Sequence, residues 1–83
     1  MDSEKFIEKC KDILVTKGID RETIFVVWSC KTLQNNKAIL SSTLKGAPLF
    51  EITHNGNKNE IYIDTYIKKS NESVKIIRKE AKQ

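Results

Sequence analysis

Apolar residues near the start of the chain recur at helical spacing. Phe6, Cys10, Ile13 and Leu14, with Ile7 beside them, form one stripe, and Glu4, Lys5, Glu8, Lys9, Lys11 and Asp12 occupy the remaining positions. The spacing predicts a helix over about 3–17. Asp2 or Ser3 is placed to accept hydrogen bonds from the free amides of its first turn. Gly18 suits the left-handed position just past its end, with Ile19 able to fold back onto the stripe.

After Asp20-Arg21-Glu22 the period drops from 3.6 to 2. β-Branched and aromatic residues then alternate with polar ones, and the pattern predicts strands over about 23–33, 38–44, 49–54 and 59–67. Asn35-Asn36, Lys45-Gly46-Ala47-Pro48 and Asn55-Gly56-Asn57-Lys58 read as the connections, asparagine and glycine being tolerant of turn geometry. Val74, Ile76 and Ile77 in a charged segment suggest a closing helix over about 70–81. The expected fold is a single α+β domain over 1–83: an N-terminal helix packed on a four-stranded antiparallel β-meander, followed by a C-terminal helix.

Register follows from matching apolar positions across each turn. In the second hairpin, setting Asn55 opposite Lys58 pairs Ile52 with Ile61, Phe50 with Ile63, Glu51 with Tyr62 and Thr53 with Glu60. A slip of one residue opposes Glu51 to Glu60 and scatters the apolar set. In the first hairpin, a two-residue Asn35-Asn36 loop pairs Trp28 with Thr43, Cys30 with Ser41 and Thr32 with Ile39. The other face of that hairpin then carries Phe25, Val27, Leu33, Ala38, Leu40 and Leu44, the set expected to lie beneath the N-terminal helix.

Composition narrows the function classes. Eighty-three residues suffice for one domain and one core. Hydrophobic residues at 39% and charged residues at 31% fit a folded soluble chain rather than a disordered one. No apolar run approaches the roughly 18 residues of a membrane span, and the charged, amphipathic start lacks the apolar centre of a secretion signal. A cytoplasmic protein without membrane contact is expected. Cys10 and Cys30 are too few for a disulfide framework and read as free thiols in a reducing compartment.

Charge is unevenly placed. Residues 1–66 hold nine Lys/Arg and nine Asp/Glu. The net charge of +4 therefore lies in residues 67–83, where Lys68, Lys69, Lys75, Arg78, Lys79 and Lys82 outnumber Glu72 and Glu80. A basic segment of this kind suits phosphate contact, and Trp28, Tyr62 and Tyr66 are residue types that stack on bases. Nucleic-acid binding through Lys68, Lys69, Lys75, Arg78 and Lys79 is thus one reading, weakened by the acids that flank Tyr62.

Reactive chemistry finds little footing. Cys30 and His54 are the types of a thiolate–imidazole pair, but no spacing brings them together and no third member is evident. Glu51, Glu60 and Asp64 fall on the solvent side of one hairpin and read as charges that discourage edge-to-edge aggregation rather than as cation ligands. Glycine-rich phosphate loops and zinc-protease spacings are missing from the sequence. No catalytic residue, metal ligand or cofactor is assigned. Protein contact is the favoured reading, with Trp28, Thr43, Tyr62 and Tyr66 as binding residues and either a second copy, giving a homodimer, or a host protein as partner.

The strings Trp28-Ser29-Cys30-Lys31, Leu33-Gln34-Asn35-Asn36-Lys37-Ala38 and Asn55-Gly56 with Glu60-Ile61-Tyr62 add a resemblance. Over about Ile24 to Lys68 the chain resembles a family of short uncharacterised proteins of phages and prophages of Gram-positive bacteria. That resemblance implies a small accessory protein of a phage or mobile element, in the cytoplasm of a bacterial host cell; the missing catalytic constellation adds the expectation that it is not an enzyme. It implies no catalytic residues.

Overall fold

A computed structural model describes residues 1–77. Helix α1 spans Ser3–Thr16 and begins as the sequence predicts: the Asp2 carboxylate accepts the Lys5 amide at 2.7 Å. It ends on Gly18 in the left-handed region, at φ 92°, with the Ile19 amide bonded back to the Leu14 carbonyl. A short 3-10 turn, Arg21–Thr23, leads into the sheet, capped by the Asp20 side chain on the Glu22 amide. Arg21 reaches back to Glu8 and Asp12 and ties that turn to the solvent side of α1, and both carboxylates hold its guanidinium above its usual pKa.

The strands are β1 (Ile24–Thr32), β2 (Asn35–Ser42), β3 (Leu49–Asn55) and β4 (Glu60–Tyr66). They form one antiparallel meander in the order β1-β2-β3-β4. The core lies on one face. Phe6, Cys10 and Leu14 of α1 cover Ile24 of β1, Ala38 and Leu40 of β2, and Phe50 and Ile52 of β3. Ile7, Ile19, Ile61 and Ile63 close its margin. Burial pushes the Cys10 thiol up to about 12, so it stays protonated as a small apolar core residue.

Three expectations are corrected. The first turn is Leu33-Gln34, not Asn35-Asn36: Thr32 pairs with Asn35 and Lys31 with Asn36. Leu33 carries the positive φ, 56°, at a position where glycine is the usual occupant. The asparagines are drawn into the strand by distant partners. The Asn36 amide group donates to the Met1 carbonyl at 3.2 Å, and the Asn35 side chain accepts the Gly56 amide at 3.0 Å. Tertiary hydrogen bonds thereby outweigh local turn preference.

The pairings shift accordingly. Trp28 faces Ile39 rather than Thr43, and Cys30 faces Lys37 rather than Ser41. Val27 is the extra residue of a β-bulge between Val26 and Trp28. The bulge turns Phe25 onto the same side as Trp28, opposite Ser41, so Phe25 is exposed rather than core. Of the six residues expected beneath α1, only Ala38 and Leu40 are there; Val27, Leu33 and Leu44 are exposed. In the second hairpin the turn is Gly56–Asn59, and Ile52 pairs with Ile63, His54 with Ile61 and Thr53 with Tyr62. This offset of two residues leaves every side chain on its expected face. The Asn55 side chain organises the turn by accepting the amides of Asn57 and Lys58.

The third correction concerns the C-terminal helix expected over 70–81. Residues 67–77 hold neither helix nor strand, and 78–81 lie outside the described residues. A segment this short needs tertiary packing to remain helical. Val74, Ile76 and Ile77, the apolar residues that suggested the helix, are 77–88% exposed. The segment is an arm, and the longest dimension of the molecule is 57 Å.

Candidate functional site

With α1 on one face, the other face of the sheet is uncovered. Strand alternation and the pairings place Phe25, Trp28, Cys30 and Thr32 of β1 on it, with Asn35, Lys37 and Ile39 of β2. Leu49, Glu51 and Thr53 of β3 and Glu60, Tyr62, Asp64 and Tyr66 of β4 complete it. Trp28 is 48% exposed, Tyr62 44% and Tyr66 52%. Three of the four expected binding residues therefore share one open surface. Thr43 does not: it follows β2, where its amide bonds to the Thr23 carbonyl.

Two shallow depressions mark this face. One, of about 250 Å³, lies beside the first hairpin and is lined by Trp28, Cys30, Thr32, Asn35, Asn36, Lys37 and Thr53. The second, of about 290 Å³, lies at the root of the arm between Ala47, Leu49, Tyr66, Ile67 and Lys68. A depression along α1 is lined only by the charged Glu4, Lys5, Glu8, Lys9 and Asp12 of its solvent side.

Polar groups brace the open face. Glu51 and Asp64 sit directly opposite each other in β3 and β4. Their repulsion is relieved because Lys37 reaches Glu51 at 2.9 Å and the Tyr66 hydroxyl donates to the same carboxylate at 2.9 Å. The hydrogen bond from Lys37, then that from Tyr66, holds the Glu51 carboxyl below its ordinary value, and Glu51 in turn raises Lys37 and Tyr66. Tyr62 donates to Glu60, which raises the Tyr62 phenol. These bonds fix both tyrosine rings while leaving them exposed.

The linkage has a definite sign. A depressed Glu51 favours the folded state above the unfolded carboxyl value of about 4.3 and loses that contribution as pH falls through its folded value. A raised Lys37 keeps its contribution until pH exceeds about 10.4. Lys37→Met is expected to move the Glu51 titration midpoint upward in a carboxyl NMR titration. The melting-temperature difference between the two chains should shrink below about pH 4. An unmoved Glu51 midpoint would refute the bridge.

Cys30 and His54 do not meet. Cys30 is exposed on the open face, while His54 is buried on the α1 side, beside Phe6 at a ring-centroid distance of 6.4 Å. His54 Nε2 lies 3.2 Å from Asn59 Oδ1. No group of three or more His, Cys, Asp or Glu side chains gathers in metal-holding geometry among the described residues. No helix among them is long and apolar enough to cross a membrane.

Lys68 lines the second depression with Tyr66, and Lys69 and Lys75 are exposed farther along the arm; Arg78 and Lys79 lie outside the described residues. Within the open face, Lys37 stands against Glu51, Glu60 and Asp64, a net of −2 that repels phosphate. Sequence reasoning missed that Phe25 and Leu49 belong to the aromatic face. No local signal marks the bulge that places Phe25 there, whereas the alternation of Leu49 with Glu51 did carry its placement.

No curated protein and no solved structure matches the chain. A family model matches residues 3–76, extending beyond the sheet strings that carry the resemblance to include α1 and most of the arm. The chain therefore belongs to a family of unknown function (DUF6275).

Proposed function

We propose that this is a non-enzymatic binding protein of phage or mobile-element origin, acting in a bacterial cytoplasm by protein contact through the open face of its sheet. One observation carries the reading: Trp28, Tyr62 and Tyr66 stand half-exposed on the side of a hydrogen-bonded sheet that α1 does not cover. Aromatic side chains held in place lose little entropy on contact and dominate interface energetics. Phe25, Ile39 and Leu49 lie among them and widen the apolar area. Cys30 and His54 lie on opposite faces of the sheet, which speaks against a thiolate–imidazole pair between them. The phage origin rests on the resemblance of the hairpin strings.

Affinity capture on the full immobilised chain tests the reading. A partner retained by the unmodified protein should be lost from Trp28→Ala combined with Tyr62→Ala, with the circular dichroism spectrum unchanged. Equal retention by both proteins would overturn the assignment of this face.

A further inference from the structure

The arm and the open face are both uncovered in a single chain. Trp28, Tyr62 and Tyr66 are half-exposed on the face, and Val74, Ile76 and Ile77 are 77–88% exposed on the arm.

The two surfaces also match in character. Residues 67–77 carry Lys68, Lys69 and Lys75 against Glu72, a net of +2, while the open face carries a net of −2. Val74, Ile76 and Ile77 are the arm's apolar residues; Trp28, Tyr62 and Tyr66 are the face's aromatic ones. Eleven extended residues span about 35 Å, more than the roughly 25 Å length of a seven-residue strand. The arm starts at Tyr66, beside the depression that Ala47 and Leu49 line. The arm's +2 and the face's −2 attract, and the arm is long enough to lie along the face of another chain.

We propose that the occupant of the open face is the C-terminal arm of a second copy, and that two chains exchange arms reciprocally about a two-fold axis. Each arm lays Val74 and Ile76, which share one side of an extended chain, on the partner's aromatics and brings its lysines beside the partner's carboxylates. The exchange is isologous, so it closes at two chains and forms no filament. Attraction between the unlike charges makes the dimer weaken as salt rises. This inference rests on the open face being a protein-binding surface and names its partner.

Sedimentation equilibrium of the full chain should give a mass near two chains. Val74→Glu with Ile76→Glu, at positions already exposed, should weaken association at least tenfold without altering the melting of the sheet. To place the arm, a nitroxide is attached at Ile76→Cys in a Cys30→Ser background; Cys10 is buried and protonated and does not react. This chain is mixed with an ¹⁵N-labelled unmodified one. Amide signals of Trp28, Tyr62 and Tyr66 in the ¹⁵N chain should lose more than half their intensity. A monomer at millimolar concentration overturns the inference, as do unattenuated Trp28, Tyr62 and Tyr66 amide signals in the ¹⁵N chain. A dimer unaffected by the arm substitutions but lost with Trp28→Ala overturns arm exchange while leaving the open face as an interface. A dimer lost with the arm substitutions but indifferent to Trp28→Ala and Tyr62→Ala overturns the face reading.

Discussion

Leu40→Ala is expected to remove about 2–5 kcal/mol of stability, the range found when a buried leucine is truncated in a core that cannot collapse around the gap. Leu40 is fully buried in β2, an interior strand, opposite Phe50 of β3 and Val26 of β1. A domain of this length has a total stability of only about 4–12 kcal/mol. The variant should melt tens of degrees lower or be largely unfolded at 37 °C. Its neighbour supplies the control. Ile39 points to the open face, and Ile39→Ala should cost about 1 kcal/mol or less in dilute solution. Equal losses at 39 and 40 in thermal unfolding would contradict the one-sided core.

Gly56→Ala is the second large effect. Both hairpin tips lie at one end of the sheet, and the β3–β4 turn presses against the β1–β2 turn. A Cβ on residue 56 would stand 2.1 Å from the Gln34 carbonyl oxygen and 2.8 Å from the Gln34 Cβ. The nearest obstacle is main chain, which cannot swing aside as a side-chain end does. The turns must separate, and the contacts that pin them are lost with them: Gly56 amide to Asn35, and Gln34 to Asn57. A cost of about 1–3 kcal/mol is expected, the range for forced overpacking. In the variant, amide exchange at position 56 should accelerate, and chemical shifts should change at Gln34 and Asn35. Unchanged shifts at both residues would refute the close approach.

These two positions show what the sequence disclosed and what it withheld. Helix α1 was legible to within a residue because stripe, cap and terminating glycine agree locally. The four strands and their antiparallel sense were legible because period-2 alternation persists through each. Register was only partly legible. A shift of two residues preserves every face, so alternation cannot distinguish Ile52 opposite Ile61 from Ile52 opposite Ile63. The turn at Leu33-Gln34 was hidden because its geometry is imposed from outside: Asn35 and Asn36 are held by Gly56 and Met1, far away in sequence. The bulge at Val27 was hidden because Val26, Val27 and Trp28 are all good strand formers. It carries Phe25 to the open face, while Leu33 leaves the expected core because it sits in the turn and Leu44 because β2 ends at Ser42.

The candidate site followed the same logic. Trp28, Tyr62 and Tyr66 share a face because alternation within each strand survives the register errors. Thr43 was drawn in only by the misplaced first turn. The arm was read as a helix from its Val74, Ile76 and Ile77, yet three β-branched residues in a short charged segment lack a partner surface within one chain.

Helix α1 covers one face of the sheet while the other stays open. Trp28 is the only tryptophan and lies on the open face, so its fluorescence reports on that claim directly. In the Val74→Glu, Ile76→Glu chain at low micromolar concentration, acrylamide should quench Trp28 readily and its emission should lie toward the long wavelengths of a hydrated indole. Emission from a shielded Trp28 that resists quenching in that monomeric chain would contradict an open aromatic face.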